Sequence, residues 1–262
     1  MEDITIYTTS YPINYLVDYL YGDNAKINSI FPTGVNIDEF EISDKKVKEY
    51  SNSDLFVFNS LDIDRDYAVK LINKNEKLKI IDVSMGMNYE YDVHELWLNP
   101  YNYLMMAQNL KNSLNTYISN PYLTEEIEKN YETLKYELSK LDATLKELAI
   151  EASYKTIVVD NDLFKFLEKY DIRVISLEEN ENLTEPVINE VKKLIDDGYI
   201  KYIYSITNAS NDTVKSLLEG YDIELITIND MRSVDGGVTN TNDSYLTIMN
   251  NNIELLKKEL LK

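Results

Sequence analysis

The chain contains no cysteine and one histidine, His94, among its 262 residues. Those two shortages exclude disulfides, thiol catalysis, thiolate metal sites and any centre that needs two imidazoles from this chain. Glycine (7) and proline (5) are scarce, which argues against collagen-like or linker-rich architecture. No run approaches the roughly 20 apolar residues of a membrane helix. Neither the basic nor the apolar region of a secretory signal follows Met1, so the expectation is a soluble chain, either cytoplasmic or with its signal removed. Basic side chains are few, 26 against 46 acidic ones, for a formal charge of −20. Such a surface repels phosphate backbones and anionic bilayers, excluding nucleic acid as a partner and favouring cations.

What is present is a repeated alternation of short β-branched runs with helical patterns. Strands are expected at Asp3 to Tyr7, Ala25 to Phe31, Asp54 to Phe58 and Leu78 to Val83, with helices at Pro12 to Tyr21, Asp44 to Ser51 and Asp64 to Asn73. The alternation restarts with strands at Lys155 to Val159, Arg173 to Leu177, Tyr199 to Tyr204 and Ile223 to Ile228, and a last helix from about Asp243 to Leu261. The fold class is α/β: two lobes, each a mostly parallel four-stranded sheet covered by helices. The lobes are read as 1–120 and 153–262, with 121–152 as a long helix joining them. In that helix Leu123, Ile127, Tyr131, Leu134, Leu138, Leu141, Leu145 and Leu148 recur at three- and four-residue steps, and Thr124 reads as its N-cap. The pattern predicts about 28 residues and about 42 Å. A coiled-coil arm is the competing reading, but no second helix of matching pattern follows, which favours a spine packed on both lobes.

Several segments in order resemble the solute-binding proteins of zinc and manganese ABC transporters, also called adhesion lipoproteins. TTSYPINYLVDYLYGD (8–23) is similar to that family's first strand and helix. FPTGVNIDEFE (31–41) resembles its Pro-x-Gly-x-Asp-Pro-His-x-Tyr-Glu loop and SDLFVFNS (53–60) its third strand. Trp97-Leu98-Asn99-Pro100 resembles its Trp-Leu-Asp-Pro segment, VVDNDLFKFLEKYDI (158–172) the opening of its second lobe, and SYLTIMNNNIELL (244–256) its terminal helix.

The resemblance implies a metal held in a cleft between the lobes, a small closure about the spine helix, and delivery to a membrane permease. It also implies a monomer on the outer side of the cytoplasmic membrane, lipid-anchored through a cysteine that the chain lacks. The family's ligands are usually three histidines and one carboxylate. Asp38 stands where the first histidine would be, Glu95 where the second would be with His94 one residue out of register, and Asn161 at the third. Asp230 keeps the fourth ligand type.

Asp38, Glu95, Asn161 and Asp230 would form an oxygen-only set, suited to Mn²⁺, Ca²⁺ or Mg²⁺ before Zn²⁺. Three carboxylates in one cleft need a cation or a shared proton. Three readings stay open: a bound hard metal, an organic cation, or a lost metal site whose acids pair within the protein, with Arg232 supplying the charge. His94 reads either as an exposed residue without function or, through a one-residue bulge before Trp97, as a nitrogen ligand that displaces Glu95. Tyr7, Tyr11, Tyr89 and Tyr91 offer aromatic faces for an organic cation, or polar tips on a core.

No Gly-x-Ser-x-Gly elbow or phosphate loop occurs, and Gly236-Gly237 stands alone, so nothing points to an enzyme. The function expected is an extracytoplasmic solute-binding protein of an ABC importer that takes a cation. The alternatives are a cell-surface adhesin or an organic-cation carrier on the same fold.

Overall fold

The computed structural model describes residues 4–32, 34–206, 211–232 and 244–262. Asp3, Thr33, the Gly236-Gly237 pair and Asp243, all named above, lie outside the described residues. The chain divides into two compact units. The first is drawn from 1–89, 96–139 and 231–247, the second from 90–95, 140–230 and 248–262.

In the first unit strands β1 (Thr5–Thr8), β2 (Lys26–Ser29), β3 (Leu55–Phe58) and β4 (Lys79–Asp82) form a wholly parallel sheet in the order β2-β1-β3-β4. Each is shorter than the apolar run that announces it. Ile30 and Phe31, read as the end of the second strand, leave the ladder and enter the core with Tyr50, Phe56, Phe58 and Leu71. All four residues of β3 are buried, as a strand covered on both faces requires. Around the sheet lie α1 (Tyr11–Tyr21), α2 (Asp44–Tyr50), α3 (Asp64–Lys74), the short α4 (Glu95–Leu98) and α5 (Pro100–Tyr117). Gly22, at φ +62°, ends α1 in a backbone region that L side chains avoid. Trp97 is buried, and its carbonyl accepts the Tyr245 hydroxyl at 2.6 Å. The Tyr245 ring stacks on Tyr103 with centroids 4.0 Å apart.

The long helix, α6 (Pro121–Glu151), has 31 residues. Its cap is Asn120, whose side chain accepts the Tyr122 amide at 3.0 Å. Thr124, read as the cap, lies inside the first turn, and its hydroxyl donates back to the Asn120 carbonyl. Proline at the first helical position suits a start there, because its missing N–H is one that helix geometry leaves unpaired. Ile127, Leu134, Leu138, Leu141, Leu145 and Leu148 are all buried, each contributing about 1.5–3 kcal/mol by leaving water. The stripe therefore packs on the chain's own units and leaves no open coiled-coil seam.

The second unit repeats the pattern with β5 (Thr156–Val159), β6 (Arg173–Ser176), β7 (Tyr202–Ser205) and β8 (Glu224–Thr227), parallel in the order β6-β5-β7-β8. Helices α7 (Glu185–Asp196), α8 (Asp212–Gly220) and α9 (Tyr245–Leu260) complete the α-helices among the described residues. The segment Asp162–Tyr170 winds as a 3-10 helix and stops at Asp171 with φ +62°. Near the end of α9, the buried Glu259 carboxylate accepts the Lys201 and Tyr202 amides, each at 2.9 Å, and so fixes the entry to β7.

Candidate functional site

In both sheets the strand order reverses direction between two central strands, β1 and β3 in one and β5 and β7 in the other. Ligands of open parallel sheets bind beyond the carboxyl ends of the strands at such a reversal. Asp160 and Asn161 directly follow β5, and Asp230 follows β8.

In the second unit the loop 90–95 is built from its own acids. Asp92 Oδ1 accepts the His94 backbone amide at 2.8 Å, and the Glu95 amide donates to the Asp92 carbonyl at 3.0 Å. The Glu95 carboxylate folds back to accept the amides of Tyr91 at 2.8 Å, Asp92 at 3.3 Å and Glu90 at 3.3 Å. The Lys165 ammonium lies over the Tyr91 ring, 4.9 Å from its centroid. His94 is thereby carried inward: its side chain is 7% exposed, a correction to the expected surface histidine. The neighbouring acid turns onto backbone amides and the imidazole takes the inward position, which one residue of local sequence does not specify.

His94 Nε2 lies 3.1 Å from Asp230 Oδ2, and Nδ1 is hydrogen-bonded to Asp92 Oδ1. Burial lowers the imidazole pKa, but the hydrogen bonds and charges of Asp230 and Asp92 outweigh it and raise the value to about 9. At neutral pH the metal-free ring is an imidazolium between two carboxylates. Asp230 follows β8, and the backbone before it is clasped by Asn252 of α9. The Asn229 amide donates to Asn252 Oδ1 at 3.2 Å, and Asn252 Nδ2 donates to the Asn229 carbonyl at 2.8 Å.

The 3.1 Å separation is that of an imidazolium–carboxylate hydrogen bond, and it can be set against the spacing of two donors on one ion. Two ligands bonded at about 2.0–2.1 Å to a tetrahedral ion stand about 3.3 Å apart, close to the separation found here. Among the described residues no group of three or more His, Cys, Asp or Glu side chains stands ready to hold one.

The remaining sequence candidates divide between the units. Asn161 caps the 3-10 helix, its Oδ1 accepting the Leu163 amide at 3.3 Å. In the first unit Arg232 donates to Asp38 at 2.7 Å and to Asp62 at 3.0 Å, so the arginine read as a counter-charge serves those two acids. Asp38 is 64% exposed, whereas Asp62 and Arg232 are largely buried. Tyr11 opens α1, with its ring 6.3 Å from that of Tyr15. Tyr7 donates to Glu49 at 3.3 Å, and Tyr89 and Tyr91 are exposed.

Sequence reasoning missed Asp92 and Asp62. The Asp-x-His spacing was a usable signal for Asp92, since an aspartate side chain readily bonds the amide two residues on. It also missed two buried acids at the sheet reversals. Asp64 accepts the Thr9 hydroxyl and the Asn59 amide, and Asp160 accepts the Ser205 hydroxyl. Each keeps one carboxyl oxygen buried without a hydrogen-bond partner among the described residues. Burial pushes both pKa values up, that of Asp64 to about 7.

The chain is similar to the zinc-binding lipoprotein AdcA of Streptococcus pneumoniae, 23% identical over 281 residues that cover 97% of this chain and 55% of that protein. It thus spans about half the length of that relative. The metal ABC transporter substrate-binding lipoprotein ScbA of Streptococcus cristatus is 24% identical over 283 residues, covering 99% of this chain and 89% of that one. Among solved structures, the Zn(II)-bound ZnuA-like domain of S. pneumoniae AdcA superposes with a TM-score of 0.81 at 23% identity, covering 99% of this chain and 100% of the domain. One of these relatives is thus named as a zinc-binding lipoprotein and the other as a substrate-binding lipoprotein of a metal ABC transporter. The family model of the zinc-uptake complex component A, periplasmic, matches residues 6–259, and the chain belongs to that family, ZnuA.

Proposed function

We propose that the protein is the extracytoplasmic solute-binding component of an ABC importer, and that it captures a divalent transition metal on His94 and Asp230. The observation that carries this reading is the buried imidazole aimed at a carboxylate 3.1 Å away, with its other nitrogen on a second carboxylate. A carboxylate behind a histidine is the usual support of a metal-ligating imidazole.

The sequence alone favours manganese or another hard cation over zinc, because Asp38, Glu95 and Asn161 stand where the family has histidines. His94 restores one nitrogen, and a mixed nitrogen and oxygen set suits zinc. The relatives named as zinc-binding support the same choice. The proposed ion is therefore Zn²⁺, ahead of Mn²⁺, Ca²⁺ and Mg²⁺. Asp38 and Asn161 as further ligands, a lipid anchor outside the cytoplasmic membrane and a permease as partner rest on the family resemblance.

The test is a thermal-shift series on chelator-stripped protein with Zn²⁺, Mn²⁺, Ca²⁺, Mg²⁺ and a set of organic amines, followed by calorimetry. Ligand at 100 times Kd stabilises a native state by about 2.7 kcal/mol. Saturable stabilisation by Zn²⁺ that disappears in His94→Ala is the expected result. Stabilisation by amines alone would indicate an organic-cation carrier. Indifference to every small cation would leave the adhesin reading.

A further inference from the structure

A histidine offers a metal either of two ring nitrogens, and something must choose. In this loop one atom touches both the backbone and the ring. Asp92 Oδ1 accepts the His94 amide at 2.8 Å and is hydrogen-bonded to Nδ1 of the same residue. Nε2 lies on the far side of the ring, directed at Asp230. A carboxylate acceptor is satisfied only while Nδ1 carries its proton. The Nδ1 lone pair is then unavailable and Nε2 is the nitrogen left to bind.

We propose that Asp92 is a positioning residue for metal capture: by holding the Nδ1 proton it fixes the tautomer and the ring plane that present Nε2 to the ion. The proposal rests on the reading of His94 as a ligand. Asp92 does not touch the ion in this arrangement. It acts through His94, and its anionic charge makes the imidazole a stronger donor. Support of this kind is worth about 10- to 100-fold in metal affinity. The Glu95 carboxylate completes the device from the other side, because by accepting the amides of Tyr91 and Asp92 it closes the turn that carries the Asp92 side chain.

His94 is the chain's one histidine, so every imidazole signal belongs to it. The experiment is proton–nitrogen NMR of the imidazole in the wild type, Asp92→Ala and Asp92→Asn, without metal and with Zn²⁺, beside calorimetric Zn²⁺ affinities. The metal-free wild type should show a slowly exchanging, low-field Hδ1 proton. The Zn²⁺ form should keep Nδ1 protonated and move the Nε2 resonance. Asp92→Ala should lose the Hδ1 signal and bind Zn²⁺ about 10- to 100-fold more weakly. In Asp92→Asn the amide oxygen still accepts, so the signal should survive with a smaller loss of affinity.

Zinc bound through Nδ1 in the wild type, or an Asp92→Ala variant with an unchanged Hδ1 signal and unchanged affinity, would overturn the proposal. Failure of Zn²⁺ to bind the wild type would instead remove the metal reading itself. The two failures are distinguishable because the Hδ1 comparison is made on metal-free protein.

Discussion

His94 Nε2 and Asp230 Oδ2 stand 3.1 Å apart across 136 positions of sequence. One comes from a loop shaped by its own acids, the other from the end of β8. Both belong to the second unit.

Glu95 is the clearest point of difference between family register and geometry. Its carboxylate accepts three backbone amides of its own loop. Glu95→Gln keeps an oxygen for the Tyr91 and Asp92 amides but loses the charge that a metal would need. Zn²⁺ affinity should change by less than about tenfold, the lower end of the effect of an outer-shell partner. A loss well beyond about 100-fold by calorimetry would return Glu95 to the ligand set.

Capture should release a proton. Burial lowers the His94 pKa, the Asp230 and Asp92 carboxylates more than reverse that, and the value comes to about 9. A metal on Nε2 must displace one of the two ring protons. Titrations at pH 7.4 in two buffers of different ionisation enthalpy should therefore report about one proton released per Zn²⁺. Apparent affinity should climb about tenfold per pH unit and level off near pH 9. Affinity that is flat between pH 7 and 8.5 would remove His94 from the site.

Asp64 should make stability fall as pH rises. Its pKa is raised from 3.8 to about 7, first by burial and then by the neighbouring charge of Asp62, against the Thr9 and Asn59 hydrogen bonds. The folded state holds this proton more tightly than the unfolded state. Its contribution is full below about pH 4 and is lost as pH passes through about 7, on the order of 4 kcal/mol if nothing relaxes. Asp64→Asn mimics the protonated acid, so it should match the wild type near pH 4 and exceed it at pH 8 in chemical denaturation. Equal pH slopes for the two proteins would contradict this.

Much of the fold was legible because its signals are local. Alternating β-branched runs and helical stripes gave eight strands close to their places, and the leucine spacing gave α6. The cap is Asn120 and not Thr124 because the Asn120 side chain takes the Tyr122 amide, a choice between two capping residue types that spacing alone does not make. The site was legible in its residue types and not in their arrangement. The burial of His94 depends on Glu95 folding backwards and on an aspartate far along the chain, and no periodicity encodes either. Asp64 and Asp160 look like ordinary surface acids until the sheets place them at the carboxyl ends of central strands.

The most direct measurement is anomalous diffraction at the zinc edge from crystals of the Zn²⁺-loaded protein. The account predicts a peak about 2.0–2.2 Å from both His94 Nε2 and an Asp230 carboxylate oxygen, with Asp92 still on Nδ1. A peak on Glu95 or on Nδ1, or full Zn²⁺ binding at a place remote from His94, would contradict it.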